Sequence, residues 1–394
     1  MTLSIAKQKN SSDHFLSENK IEGSTPYTQL FKECLLRAKT QGASDIHVLP
    51  GQNKISIRFR LSGDLSTWKE IESTHAKGFL NEIKALCNLS ISQSGVTQDA
   101  RVSLPSWRLN LRVSLIPSQY GEKIVLRLLD LDKVFDLEKG GLALDAINCL
   151  KESLNLDNGI ILISGPTGSG KTTTLYSCLN YLDRNILNVT TLEDPIEYTF
   201  EGLTQVEITP KLSFSDALRA VLRQDPDVIL VGEIRDQETA ELANRAAQTG
   251  HLVLSTVHAN GSIDVITRLE GLGIDRYHLS QSLRFSSAQR LLRLLCESCK
   301  IPLNDTDLAK ISKNLNEEQK PDHFFKRSEI GCEHCNLTPP GRVPILEYVC
   351  GSELQEILNL DHKEKPILKN SLKSQILKLA NQGVIDANEI LTVA

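Results

Sequence analysis

Apolar positions along the chain follow two regimes, and the change from one to the other predicts two domains. In "YTQLFKECLLRAKTQGAS", Leu30, Cys34, Leu35 and Ala38 share one face, which predicts a helix stopped near Gly42. "KISIRFRLSGDL" alternates apolar and basic residues before a Gly-Asp turn, the mark of a strand and hairpin. "FLNEIKALCNL" returns to a helical period, and "WRLNLRVSLIP" and "EKIVLRLLD" alternate again. Residues 26–132 are therefore expected to form a small α+β domain. "DLDKVFDLEKGGLAL" carries charge and a Gly-Gly pair, and predicts a linker over residues 133–140. Beyond residue 141 come short wholly apolar runs, "GIILISG", "NVTTLED", "DVILVGE" and "HLVLSTVH", separated by helical stretches. Such runs suit parallel strands buried on both faces, so residues 141–394 are expected to be an α/β domain. After about residue 279 the pattern predicts helices, interrupted by a polar, cysteine-bearing segment from 296 to 335. Residues 1–25, rich in Ser, Lys and Asn and without a period, predict a mobile tail.

Composition narrows the partners. The 394-residue chain has a net charge of −5 and is 40% hydrophobic, so it carries no overall basic footprint and no direct nucleic-acid binding is expected. No apolar run approaches the ~18 residues of a membrane span, and the N-terminus has no apolar signal core. Both features predict a cytoplasmic protein. Nine cysteines in a reducing compartment do not suggest a disulfide framework. Cys34, Cys87, Cys149, Cys178 and Cys350 sit in apolar surroundings and are expected to be small buried hydrophobes.

The run from Gly159 supplies the first chemistry. Gly165-Pro166-Thr167-Gly168-Ser169-Gly170-Lys171-Thr172-Thr173 contains G-x-x-x-x-G-K-[ST] between a predicted strand and a predicted helix. The glycines let backbone N–H groups converge on phosphate oxygens, and the helix N-terminus favours an anion. Lys171 would meet the β- and γ-phosphates of ATP, and Thr172 would hold Mg²⁺. Hydrolysis also needs a carboxylate. "DVILVGEIRD" is a buried strand ending in Gly232-Glu233, with Gly232 where an aspartate is usual. Glu233 lies at a strand's carboxyl end, where ligands of open α/β sheets bind, and would polarise water or hold the metal. "TTLEDPIEY" ends a second strand with Glu193, Asp194 and Glu197. These acids suit Mg²⁺ and water positioning, or equally a helix's first turn after Pro195. His251 and His258 flank one strand and are candidates for sensing the γ-phosphate.

Cys296-x2-Cys299 and Cys332-x2-Cys335 are two knuckles that suit a tetrahedral Zn²⁺ held by four thiolates, with no open position and hence a structural role.

Taken in order, "GPTGSGKTTT", "TLEDPIEY" and "LRQDPDVILVGEIRDQETAELANRAAQTGHLVLSTVHAN" resemble the secretion ATPases, in particular the type II secretion and type IV pilus assembly branch (GspE/PilB type). In the terms of that family these are Walker A, Asp box, Walker B and His box, and a Gly-Glu ending of Walker B is typical there. The resemblance runs over residues 27 to 350, including "GASDIHVLP", "LRVSLIPSQYGEKIVLRLLD" and "AQRLLRLLCESCK". It implies a RecA-like P-loop NTPase domain preceded by the family's second N-terminal domain. It further implies a homohexameric ATP-driven motor, peripheral on the cytoplasmic face of the inner membrane, that docks on a membrane platform protein and assembles pilin-like subunits. Glu233 would activate water with help from Glu193, and His258 would sense the γ-phosphate. By resemblance alone, Arg112 and Arg127 are the N-terminal-domain arginines that reach the phosphates. Departures are Leu49, Ser62, Ala100 and Leu294, at positions where the family commonly has other residues. A first N-terminal domain, which meets a cytoplasmic adaptor in longer relatives, is expected to be missing. The tetracysteine element favours assembly over retraction; DNA-uptake or conjugation-type motors and a non-catalytic ATP-binding paralogue are the alternatives.

Overall fold

The computed structural model describes residues 14–15, 25–312, 324–328, 330–335, 341–360 and 366–392. The tail expected over residues 1–25 lies outside these, apart from residues 14–15 and Thr25. The chain divides into two compact units, Met1–Lys133 and Val134–Ala394.

The first unit is a seven-stranded sheet with two helices on one face. In chain order it comprises β1 (His14–Phe15), α1 (Pro26–Thr40), β2 (Asp45–Pro50), β3 (Lys54–Leu61), β4 (Asp64–Glu72), α2 (Ser73–Leu86), β5 (Gln98–Leu104), β6 (Leu109–Ser118) and β7 (Gly121–Asp130). The strand order is β1-β5-β6-β7-β2-β3-β4. Residues 14–15 thus pair with the sheet, parallel to β5, although a tail was expected there. Thr25 caps α1 by accepting a hydrogen bond from the Thr28 N–H (3.1 Å), and Pro26 follows at the first helical position. The β3–β4 hairpin closes through Ser62 and Gly63, both at positive φ (48° and 98°), as a two-residue turn requires. Alternation sends Ile46, Val48, Ile57, Phe59, Leu111, Val113, Ile124 and Leu126 into one core with Phe31, Leu35, Phe79 and Ile83 of the helices.

The second unit contains α3 (Leu144–Leu154), β8 (Gly159–Ser164), α4 (Lys171–Tyr181), β9 (Val189–Glu193), β10 (Thr204–Glu207), α5 (Phe214–Val221), β11 (Val228–Val231), α6 (Gln237–Gln248), β12 (Leu252–Val257), α7 (Ser262–Gly271), α8 (Arg276–Ser282) and β13 (Leu283–Arg293). It continues with β14 (Ile301–Pro302), α9 (Asp305–Ser312), β15 (Phe325–Lys326), β16 (Arg342–Cys350), α10 (Gly351–Asn359) and α11 (Leu372–Asn381). The main sheet has the order β10-β9-β11-β12-β8-β13-β16. All its pairs are parallel except the antiparallel edge pair β13–β16. Every residue of β8, β9, β11 and β12 is buried. Ile160 and Leu162 enter one core and Ile161 and Ile163 the other, so both sheet faces are covered. The fold is the expected α/β domain preceded by a smaller α+β domain.

Three expectations change. Residues 283–293, whose leucines and arginines predict helix, form β13, because pairing with β8 and β16 on its two sides outweighs local propensity. Within the expected linker 133–140, Phe135 and Leu137 are buried in the second unit's core. Cys34, Cys87 and Cys178 are free and buried as expected, but Cys149 and Cys350 are joined as a disulfide across a sequence separation of 201. Among the described residues no helix is long and apolar enough to cross a membrane.

Candidate active site

Strand β8 delivers the chain to the carboxyl end of the sheet, and the glycine loop turns it into α4. Gly165, Gly168 and Gly170 hold φ of 142°, 79° and 92°. A Cβ at Gly165 would lie 2.5 Å from the Gln289 carbonyl oxygen, so the loop is shaped by close approach as well as by backbone freedom. No side chain caps α4 at Gly170, which leaves its first N–H groups for an anion. The Ser169 hydroxyl is buried within the loop without a hydrogen-bond partner. This cradle of glycines, helix N-terminus and unpartnered hydroxyl fits a polyphosphate. The Lys171 ammonium donates to the carbonyls of Gly165 (2.8 Å) and Pro166 (3.1 Å), directly over the loop. Burial lowers its pKa, Glu233 opposes that shift and Arg290 adds to it. Pro166, Thr167 and Thr172 are exposed.

Glu233 follows β11 at the same end of the sheet. Its carboxylate lies 2.5 Å from an Arg235 η-nitrogen and 3.8 Å from His258 Nε2, and its side chain is 17% exposed. The structure explains Gly232: its N–H donates to the Leu192 carbonyl (2.8 Å), and a Cβ there would stand 3.0 Å from that oxygen. A side chain at 232 would need the Leu192 carbonyl to give by a few tenths of an ångström.

The other predicted residues separate. Glu193 ends β9 and is buried. It accepts hydrogen bonds from the Tyr176 hydroxyl, from Thr191 Oγ1 (2.6 Å) and from Gln205 Nε2 (3.0 Å). Three of its four or so acceptor positions are thus filled, and one remains on the oxygen facing Tyr176. Burial, then the adjacent Glu193 charge, push the Tyr176 phenol well above its usual range. Asp194 is exposed, and the Glu197 N–H lies 3.4 Å from the Tyr176 hydroxyl. His258 leaves the carboxyl end of β12, whereas His251 precedes its amino end, with Nδ1 3.0 Å from the Ala246 carbonyl. Six strand residues separate the two rings by roughly 20 Å. The idea of two sensing histidines is therefore corrected: His251 belongs to the other end of the sheet.

Arg112 and Arg127 lie in cross-strand register on the first unit's sheet, in the row Arg101, Arg112, Arg127, Asp45, Arg60. Arg127 Nε is 3.0 Å and Arg60 Nε 3.7 Å from the buried Asp45 carboxylate. Strand alternation puts this row on the face opposite the helices.

Cys296, Cys299, Cys332 and Cys335 bring their sulfurs within 4.8 Å of one another. Cys296–Cys332, Cys299–Cys335 and Cys332–Cys335 are 3.8, 3.9 and 3.8 Å apart. Four sulfurs at about 2.3 Å from a central Zn²⁺ form a tetrahedron with edges of about 3.8 Å. The Cys332 N–H donates to Cys335 Sγ at 3.3 Å, which stabilises a thiolate ligand. The residues fit a structural zinc ion.

A family described as Type II/IV secretion system protein matches residues 20–392. The chain belongs to that family. Type II secretion system protein E of Aeromonas hydrophila is 43% identical over 333 residues, covering 82% of this chain and 65% of that relative. Type II secretion system ATPase E of Vibrio cholerae is 36% identical, with 94% of this chain and 76% of the relative covered. Type IV pilus assembly ATPase PilB of Pseudomonas aeruginosa is 37% identical, with 93% and 66% covered. The chain thus spans about two thirds to three quarters of the length of these relatives. The crystal structure of the pilus retraction motor PilT with bound ADP has a TM-score of 0.61 and 27% identity, covering 92% of this chain and 96% of its own. The Legionella pneumophila ATPase DotB shares the fold (TM-score 0.68, 22% identity, 93% and 96% covered).

For a member of this family, two neighbours of the loop stand out that motif spacing did not assign. Gln289, in β13, donates from Nε2 to the Ser169 carbonyl (2.9 Å) and accepts from the Thr174 hydroxyl (2.8 Å). It bolts the phosphate loop to the next strand. Arg290 donates to the Asn260 carbonyl (2.9 Å), two residues beyond His258, and its burial lowers its pKa. "AQRLLRLLC" held both residues, but a helical reading of that segment hid which of them would face the loop.

Proposed function

We propose that this chain is an ATP-hydrolysing motor that powers assembly of pilin-like subunits in a type II secretion system or type IV pilus. The observation that supports this reading most is the convergence of the Gly165–Thr173 loop, Lys171 and Glu233 at one sheet end, in a chain of this family. Lys171 and the α4 N-terminus bind the β- and γ-phosphates of ATP. Mg²⁺, when bound, screens phosphate charge and orients the reacting oxygens. Thr172 is its protein ligand. Glu233, held by Arg235, orients the attacking water, and Glu193 contributes its last acceptor position. His258, beside Glu233, responds to the γ-phosphate. Arg112 and Arg127 add guanidinium groups that bind phosphate bidentately in the assembled motor. Positioning and electrostatics carry most of phosphoryl-transfer catalysis, and this set supplies both. Cys296, Cys299, Cys332 and Cys335 hold a structural Zn²⁺. The working form is a homohexamer on the cytoplasmic face of the inner membrane, engaging a platform protein. The test is turnover against chain concentration with Mg²⁺-ATP. Turnover per chain should rise as rings form, whereas a constant or absent turnover at every concentration would remove the motor reading.

A further inference from the structure

The end of the second unit's sheet remote from the phosphate loop holds a second reactive constellation. A cavity of about 330 Å³ is lined there by Cys149 and Glu152 of α3, Leu283 and Arg284 at the start of β13, Cys350 at the β16–α10 junction and Gln355 of α10. Leu283 pairs with Ile160 near the start of β8, so the length of β8 separates this cavity from the loop that follows it. Cys149 and Cys350 are bonded, with Cα atoms 6.6 Å apart, inside the span disulfides bridge.

The other cysteines differ in kind. Cys34, Cys87 and Cys178 are sealed in the cores, where burial pushes their thiols up, that of Cys87 to about 12. Four more form the metal-ligand cluster. The pair Cys149–Cys350 opens on a cavity. Cys350 is the N-cap of the nine-residue α10, and no side chain caps that helix. The uncapped N-terminus there favours a thiolate at this position, and Arg284, whose guanidinium donates to the Asn158 carbonyl (3.4 Å) and Oδ1 (3.2 Å), brings a positive charge to the same lining. Cys350 is half-buried and Cys149 buried, which sets the order of attack.

We propose that Cys149 and Cys350 are a reversible thiol–disulfide site, and that the cavity admits a small zwitterionic disulfide of the amino-acid or short-peptide thiol class. Its volume is at the lower end of small-molecule pockets. Arg284 and Glu152 supply opposite charges for the carboxylate and ammonium groups of such a molecule. In the closing direction, the Cys350 thiolate attacks one sulfur of the small disulfide RSSR. That S–S bond breaks and one RS⁻ leaves. The Cys149 thiolate then attacks Cys350 Sγ, the Sγ–SR bond breaks, and the second RS⁻ leaves. The two cysteine protons go to the two released thiolates, and the cysteine pair has given two electrons to RSSR. Two equivalents of RSH reverse the exchange. Closure ties the first helix of the second unit to its edge strand, restricting the unfolded chain.

The test uses the full chain loaded with zinc, equilibrated with reduced and oxidised glutathione at graded ratios, quenched by alkylation and mapped by mass spectrometry. The Cys149–Cys350 cross-link should rise and fall with the ratio, and the oxidised form should melt roughly 5–10 °C higher than the reduced form. Cys149→Ser should trap glutathione on Cys350. Cys350→Ser places a good N-cap residue on α10, so it should fold, lack the cross-link and keep ATP turnover within about twofold. A pair that stays alkylatable at every ratio would overturn the proposal. So would a bond that no thiol opens in the folded chain, or a Cys149→Ser protein without an adduct on Cys350.

Discussion

The two ends of the second unit's sheet are built from the same strands and do opposite things. At the carboxyl end, β8, β11 and β12 deliver Lys171, Glu233 and His258, and the glycine loop leaves the α4 N-terminus without a side-chain cap. At the amino end, His251 is tied to the Ala246 carbonyl, the Gly159 N–H donates to the His251 carbonyl, and two cysteines close α3 onto the edge strand. Parallel strands point their carboxyl ends one way and feed helices whose positive ends meet there, so the phosphate chemistry collects at that end. The lesson is that a histidine or an acid acquires its role from which end of a strand it leaves.

The largest effect is expected of Lys171→Ala, which should lower turnover by roughly 10²–10³-fold and weaken nucleotide binding, read by steady-state hydrolysis and equilibrium binding. Removing zinc with a chelator should come next. It should release the 296–335 element and lower the melting temperature by roughly 5–10 °C, while nucleotide-loop contacts through Gln289 persist. Unchanged melting would mean that the four thiols need no metal. The histidines then separate the two ends. His258→Ala should slow hydrolysis by roughly tenfold, the loss of one charge-assisted hydrogen bond. His251→Ala should leave turnover within about twofold and cost about 1 kcal/mol of stability. The smallest effect is pH dependence. The Lys171 pKa is lowered from 10.5 by burial. Its neutral form is thus relatively favoured on folding, so its contribution to stability rises with pH between the folded and unfolded values. Its charge disappears below the ordinary lysine range, so the KM for ATP should climb at alkaline pH before an exposed lysine would titrate.

Legibility in the sequence followed the same physics. Strands buried on both faces read as unbroken apolar runs, so β8, β9, β11 and β12 were plain, and the loop and cysteine spacings are local patterns. What depended on distant partners was hidden. Residues 283–293 look helical until β8 and β16 flank them. Glu193 reads equally as a metal- or water-positioning acid and as part of a helix's first turn, and its partners Tyr176, Thr191 and Gln205 come from outside that stretch or from the strand itself. The pairing of Cys149 with Cys350 spans 201 residues and has no local signal. Gly232 stands where an aspartate is usual, and its close approach to the Leu192 carbonyl has no local signal.

Glu233 is the proposed water-orienting carboxylate for ATP hydrolysis at the carboxyl end of this sheet. The direct measurement is Mg²⁺-ATP binding and turnover by the wild-type chain beside Glu233→Gln. Nucleotide affinity should stay within a few-fold of wild type and turnover should fall at least roughly a hundredfold. Turnover retained by Glu233→Gln would contradict it and move the chemistry to another carboxylate.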